Sequence, residues 1–430
     1  MKSGFRAALV MTTALAGVGM AGGSAFAGGF INSSQSTVFN GMAYAGAAAP
    51  GSSSAATMFY NPATITGFSR FTLDSNYTFG IPETKITSST NVGAYNAAFS
   101  GRSGDVGLDY FVPATYVVYP VNDRIFLGLS VNTTYGNSTK AENVWQGSLF
   151  ASTSKLRIIT ATPTIAYKIN EAWSVGIGVQ IQYASAHQTA RLPGAPFTAV
   201  AGGAGITESD GWGFGVTAGV TWQPFKGTQI GLGWRSLVDQ KISGRTVFGP
   251  AVSENSEGTL NLPNRVNLSL RQAVSQRIDL LASVEWQNWG RIGHARLDNP
   301  ANAALAVLPF GYSDGWFFSV GGEYKATDQL TLRAGIGYEV SPVRDSVRRV
   351  TLPDNDRLWL SAGLSYDWSD RFTFNASYSF LHVKDAPITQ TSGALTLTGE
   401  SKATAHLISV GLTSRWGGAP KKEEPLVKKF

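Results

Sequence analysis

The 430-residue chain has 34 Lys and Arg against 28 Asp and Glu, no cysteine, and is 14% charged but 43% hydrophobic. The missing cysteine excludes disulfides, a thiol nucleophile and thiolate metal sites, and a net charge of +6 with no basic stripe leaves no footprint for nucleic acid. Soluble domains average about 25% charged residues; the shortfall, with 49 Gly, 11 Trp, 15 Tyr and 23 Phe, fits a surface that faces lipid.

Residues 1–27 read as a signal peptide. Lys2 and Arg6 form a positive start, Ala7 to Ala21 an apolar core too short and Gly-broken to span a membrane, and Ala25-Phe26-Ala27 a small-x-small cleavage site. An N-terminal membrane anchor is the alternative. Mature chain would begin at Gly28.

Gly28 to Ser69 contains no charged residue, is rich in Gly, Ala and Ser, and ends near Asn61-Pro62-Ala63. Phe30, Ile31, Val38, Phe39, Met42, Tyr44, Met58 and Phe59 suit a hydrophobic ligand, because each buried CH₂ returns roughly 0.8 kcal/mol. We expect a plug inside a barrel; a disordered leader is the alternative.

No apolar run beyond residue 27 reaches the roughly 18 residues of a spanning helix. A membrane-embedded chain must therefore be a closed barrel, since lipid cannot satisfy open backbone groups. Strand patterning agrees. In Leu330 to Val340, the residues Leu330, Leu332, Ala334, Ile336, Tyr338 and Val340 share one face, and Thr331, Arg333, Gly335, Gly337 and Glu339 the other. Arg371 to Val383 and Leu407 to Trp416 repeat the pattern. Short turns are expected at 121–123, 169–171, 224–227, 274–276, 326–328 and 368–370. Longer polar stretches fall near 81–104, 137–154, 191–210, 243–257, 290–314, 342–355 and 386–400. Six short and seven long connections join fourteen strands, and such alternation is the habit of outer-membrane barrels. Tyr119, Tyr167, Trp173, Trp222, Phe225, Tyr366, Trp368 and Phe372 cluster at the turns as an interfacial girdle. The expected fold is all-β: a 14-stranded antiparallel transmembrane barrel over 70–416, a plug over 28–69 and a periplasmic tail over 417–430.

Enzyme signals are poor. His187, His294, His382 and His406 are scattered, outside any HExxH, GxSxG or phosphate-loop context. No cofactor, metal site or catalytic residue is expected. A barrel hydrolase using His382 or His406 with a strand serine is the alternative, and a general porin another. Asp354 and Asp356 either hydrogen-bond within a turn or hold a loop calcium. Arg357, Trp359 and Ser361 should face the lumen, as should Arg333 on the neighbouring strand; either arginine can fork onto a ligand carboxylate, or pair with an Asp to stiffen the wall.

At these residues the chain resembles the FadL-type outer-membrane transporters of long-chain fatty acids and related hydrophobic compounds. The resemblance runs through Gly28-Gly29-Phe30, Gly41-Met42-Ala43-Tyr44-Ala45-Gly46, Asn61-Pro62-Ala63, Val112 to Val117, Tyr135-Gly136, Val284 to Gly290, Ser341-Pro342-Val343 and Pro353-Asp354-Asn355-Asp356-Arg357-Leu358-Trp359. It implies a 14-stranded barrel with an N-terminal hatch. It also implies capture of a hydrophobic molecule by outer loops, here 191–210 with Leu192 and Phe197 and also 243–257. Transfer to a lumenal site and sideways release through the wall would follow. Phe30, Asp356 and Arg357 match positions near the family's inner site, and Asn61, Pro62 and Ala63 its hatch signature. The implied partners are long-chain fatty acids, or neutral aromatic and aliphatic hydrocarbons, and outer-membrane lipid, with a monomer expected. This hatch departs from the family in lacking acidic residues between Gly46 and Asn61.

Overall fold

A computed structural model describes residues 29–141, 144–191, 204–248, 251–292, 294–298, 307–392 and 394–417. The expected signal peptide, the tail beyond Gly417, and Leu192 and Phe197 lie outside the described residues.

The strands follow in chain order. β1 (Phe71–Thr90) is followed by the short outer β2 (Arg102–Asp105), then β3 (Tyr110–Pro120), β4 (Ile125–Lys140), β5 (Thr153–Lys168), β6 (Trp173–Arg191) and β7 (Ala204–Phe225). The next four staves of the wall are each interrupted: β8 (Thr228–Arg235) with β9 (Val238–Phe248), β10 (Ala251–Leu262) with β11 (Arg265–Ala273), β12 (Ile278–Gln287) with β13 (His294–Asp298), and β14 (Val307–Pro309) with β15 (Gly315–Lys325). β16 (Leu330–Val340), β17 (Arg357–Asp367), β18 (Phe372–Ser392) and β19 (Leu395–Trp416) complete the wall. Fourteen antiparallel staves result, closed by β1 against β19 from Phe71 opposite Trp416 to Thr90 opposite Leu397. Closure leaves no open sheet edge, as lipid requires.

Alternation decides which side each residue takes. Leu332, Ile336 and Tyr338 are exposed on the outside, whereas Arg333 and Glu339 are buried within. Leu360 and Leu364 likewise face out, and Arg357 and Trp359 in. The six short turns fall where expected. Trp173 stacks on Trp222 at 5.3 Å beside two of them, with Phe225 and Trp368 exposed nearby. Several stretches expected as long loops are paired strand instead. β1 runs to Thr90, β9 and β10 form a hairpin across 243–257, and β18 and β19 meet near Ser392 and Leu395. Above the apolar band both faces meet polar surroundings. The sequence there loses its alternation while the backbone keeps its ladder.

Residues 29–68 occupy the lumen, almost all of them buried. The segment has little regular structure: helical turns at Thr37–Asn40 and Thr57–Tyr60, and a 3₁₀ turn at Pro62–Gly67. It compensates by bonding to the wall. Thr37 N donates to Asn76 Oδ1 (2.8 Å), Gly46 N to Ser283 Oγ (2.9 Å) and Ala48 N to Ser269 Oγ (3.0 Å). Asn40 Nδ2 reaches Ser377 and Ser409, and Ser379 Oγ donates back to the Asn40 carbonyl (3.0 Å). Wall serines supply these partners because a hydroxyl can both donate and accept. Where the segment lies directly on the wall, the wall residue is glycine: Gly233 faces the Tyr60 carbonyl, and Gly231 that of Ala48. Burial raises the Tyr44 and Tyr60 hydroxyls well above their ordinary pKa, so the segment stays uncharged.

Candidate functional site

The N-terminal end of this segment is enclosed in a packed apolar cluster, the Phe30 chamber. β4 carries a bulge between Thr133 and Tyr135, and β3 pairs with it only from Ala114 opposite Asn132 downward. Above that point the edge of β4 takes up the N-terminus: Asn32 N donates to Thr134 O (3.0 Å), Gly136 N donates to Phe30 O (2.9 Å), and Ile31 bridges Tyr135. Phe30 is thereby held edge-on to Trp289 at 4.6 Å, with Tyr135 at 6.1 Å and Phe310 at 6.4 Å. Ile158, Val238, Leu260, Leu262, Ile292 and Val343 extend the cluster. Trp289 and Ile292 come from the 3₁₀ turn that interrupts the β12–β13 stave, Tyr312 and Phe310 from the break before β15. The interruptions therefore turn large side chains inward at one level of the lumen.

The chamber has a polar edge. Asp354 accepts from Gly29 N (3.0 Å) and Ser341 Oγ (2.5 Å) and makes a close ion pair with Arg357. Arg348, also buried, donates to the Asp354 carbonyl (2.7 Å) and to Val343 O (3.2 Å). Arg357 Nε stands 3.5 Å from Glu339, whose other neighbour is the Trp359 indole N–H (3.2 Å). Arg357 Nη1 is buried without a hydrogen-bond acceptor, whereas Nε has the Glu339 carboxylate at ion-pair distance. Buried donors are nearly always satisfied, so Nη1 invites an acceptor. Arg357 borders a cleft lined by Gly29, Leu352, Pro353, Asp354 and Val383.

The structure brings together Phe30 and Arg357 of the residues singled out from sequence, and separates the others. Asp356 is not at the chamber. It accepts from Tyr338 Oη (3.1 Å) and Ser341 N (3.0 Å) beside the outer face. Asp356 is turned out because it adjoins inward-facing Arg357; Asp354 holds the inner place in the irregular stretch before β17, where Gly29 N and Ser341 Oγ hold its carboxylate. Asp354 thus ties the N-terminal segment and Ser341 to Arg357, and Asp356 ties its stretch to Tyr338 and Ser341. Arg333 lies opposite Gly363, about six residues down the wall from Arg357, or roughly 20 Å. It donates to Glu323 Oε1 (2.6 Å) and Ser365 Oγ (2.5 Å), and Glu323 also pairs with Arg271, which meets Asp279 (2.5 Å). The two arginines cannot grip one carboxylate. Asn61, Pro62 and Ala63 lie below the chamber, against Gly219 and Gly176 of the wall. The residues missed from sequence are Asp354 as the inner carboxylate, Tyr135 and Glu339; the bulge that aims Tyr135 inward has no sequence signature of its own. His382 and His406 face outward, His406 Nδ1 lying 2.7 Å from Tyr378 Oη. Among the described residues no cluster of His, Asp or Glu could hold a metal ion.

A closed barrel whose lumen is filled by its own N-terminal segment, with a greasy chamber at that segment's tip, defines a plugged membrane β-barrel. The chain belongs to the outer membrane protein transport protein family (OMPP1/FadL/TodX), whose model matches residues 18–416, and it is an outer-membrane protein. It is 26% identical over 405 residues to the long-chain fatty acid transport protein of Escherichia coli O6:H1, covering 85% of this chain and 90% of that one. It is 27% identical over 448 residues to outer membrane protein P1 of Haemophilus influenzae, covering 91% and 96%. Its fold is similar to the crystal structure of a Pseudomonas aeruginosa FadL homologue (TM-score 0.81, 22% identity, 91% of this chain and 100% of that chain). It is also similar to the Pseudomonas putida toluene transporter TodX (TM-score 0.64, 16% identity, 89% and 99%).

Proposed function

We propose that this chain carries hydrophobic molecules passively across the outer membrane, with long-chain fatty acids as the principal cargo. The observation that supports this most is the pairing of an apolar chamber around Phe30 with a buried guanidinium, Arg357, whose Nη1 has no acceptor at its edge. An acyl chain suits the first and a carboxylate the second. The outer connection within 191–210, with Leu192 and Phe197, and the outer β9–β10 hairpin across 243–257 would gather the molecule. The uncharged segment 28–69 acts as a hatch with Asn61, Pro62 and Ala63 at its hinge. Release is sideways, where β4 parts from β3 and residues 30–32 stand in the breach. The relatives named as fatty acid transporters agree with this cargo. Neutral hydrocarbons are the second reading, favoured by the mainly apolar side chains around Phe30.

Binding of oleate and of oleyl alcohol to wild-type and Arg357→Lys protein separates the two. A hydrogen bond to a charged group contributes about 1.5–3 kcal/mol, so a carboxylate grip predicts roughly a tenfold or greater loss for oleate and little change for the alcohol. Equal losses would rule out the grip and leave neutral cargo.

A further inference from the structure

We propose that the wall contains a second lateral passage, between β7 and the β8–β9 stave, through which cargo leaves the Phe30 chamber for the outer leaflet. The proposal rests on the transport reading above but uses a different part of the barrel.

The ladder between these staves is interrupted. β7 pairs with β9 from Gly205 opposite Phe248 to Asp210 opposite Ser243, and with β8 from Thr217 opposite Arg235 to Phe225 opposite Thr228. Between them, Gly211 to Gly215 have no ladder partner on that side. At the lower end the backbone still bridges, Ser236 N donating to Val216 O (2.8 Å) and Val216 N to Ser236 Oγ (2.9 Å). At the upper end a side chain takes over: Gln240 Nε2 donates to Gly211 O (2.8 Å). Such bonds satisfy the backbone as lipid demands. A side chain can also rotate away, which a ladder strand cannot. Gln240 makes this bond through its Nε2 alone, its Oε1 being buried without a hydrogen-bond partner.

The gap joins the chamber to lipid directly. At Ser236 and Leu237 the β8–β9 stave steps inward, and Val238 enters the cluster around Phe30. Opposite it, β7 reads Gly211-Trp212-Gly213-Phe214-Gly215-Val216, with glycine at each inward position. Side chains at Gly213 or Gly215 would begin 2.7 Å from Val238. The Val238 and Gln240 side chains therefore form the barrier on the inner side. On the outer side Trp212 and Phe214 are 57% and 66% exposed.

The depth is right as well. Trp173 with Trp222 marks the lower girdle, and Tyr183 with Trp212, 5.1 Å apart, the upper. About ten residues separate them, roughly 33 Å of strand and about 25 Å of height once tilted, the thickness of an outer-membrane apolar band. The gap thus opens just below the upper girdle, in the outer-leaflet hydrocarbon. It needs no movement of residues 30–32, unlike the break between β3 and β4.

The chain has no native cysteine, so a disulfide can close each breach separately. Uptake of radiolabelled oleate would be measured in cells lacking their own transporter. The Gly213→Cys/Val238→Cys protein should lose at least half of its uptake when oxidised and regain it on reduction, each rate being compared with that of the same protein in its other state. Conversely, Gln240→Ala should raise uptake at least twofold. If oxidation changes nothing while an Ile31→Cys/Tyr135→Cys lock stops uptake, the second passage is refuted and transport stands. If the unmodified chain supports no uptake, both fall together. If the cysteine pair fails to fold, an unchanged rate in Gln240→Ala still refutes the passage.

Discussion

Asn61 donates through its side-chain amide to the carbonyls of both Ala48 and Val220, at 2.9 Å each. One residue thus ties the hatch to itself and to β7, while its Oδ1 accepts from Ala63 N (3.0 Å) at the start of the 3₁₀ turn. Replacement by Ala leaves these groups short of partners, at about 1–3 kcal/mol for each buried one. Asn61→Ala should loosen the hatch and raise ion conductance in planar bilayers. Conductance indistinguishable from wild type would show that this tie does not hold the hatch.

Gly233 predicts a steric effect. Its inner side abuts the Tyr60 carbonyl and Asn61 Cα, whereas Gly67 has no heavy atom within 4 Å of where a Cβ would stand. Overpacking costs about 1–3 kcal/mol. Gly233→Ala should lower the unfolding midpoint and Gly67→Ala should not. Equal effects would mean that the close approach of hatch and wall is not limiting.

Arg333 sits in an ion-pair network with Glu323 and Arg271 and bonds to Ser365. Breaking a buried ion pair costs about 3–5 kcal/mol, and Glu323 retains Arg271, so the loss should lie at the lower end. Arg333→Met should therefore lower the urea midpoint and weaken oleate and oleyl alcohol equally. A selective loss of oleate would return Arg333 to the binding machinery.

Phe30→Ala removes the ring that packs against Trp289 and Tyr135. Burial of a large aromatic contributes about 3–5 kcal/mol, shared here between anchoring the N-terminus and lining the chamber. Oleate affinity should fall at least tenfold, and tryptophan emission should shift red as Trp289 gains water. Unchanged affinity would place the cargo elsewhere.

The wall was legible from sequence because period-two patterning and Asn, Asp, Ser and Gly at the turns are local signals. Val121-Asn122-Asp123 and Ala326-Thr327-Asp328 needed no tertiary information. The strand extensions at 243–257 and 386–400 were not legible, since outside the apolar band no face is selected. Asp354 and Asp356 were confused because the resemblance pointed to the motif as a whole; counting alternation back from Arg357 puts Asp356 outside. Arg333 read as a binding residue because its lumenal side was evident, but its partner Glu323, on another strand, was not. The stepped stave at Ser236 depends on how three neighbouring staves bend together, although the Gly211, Gly213, Gly215 repeat marks where it passes.

The central claim is tested most directly by uptake of radiolabelled oleate into Gram-negative cells that lack their own fatty acid transporter, with and without this chain. We predict at least a tenfold higher rate with the chain, reduced by Phe30→Ala and by Arg357→Lys. A rate no higher than that of cells without it, with large ion conductance from the purified protein, would contradict the account and point to an open polar pore.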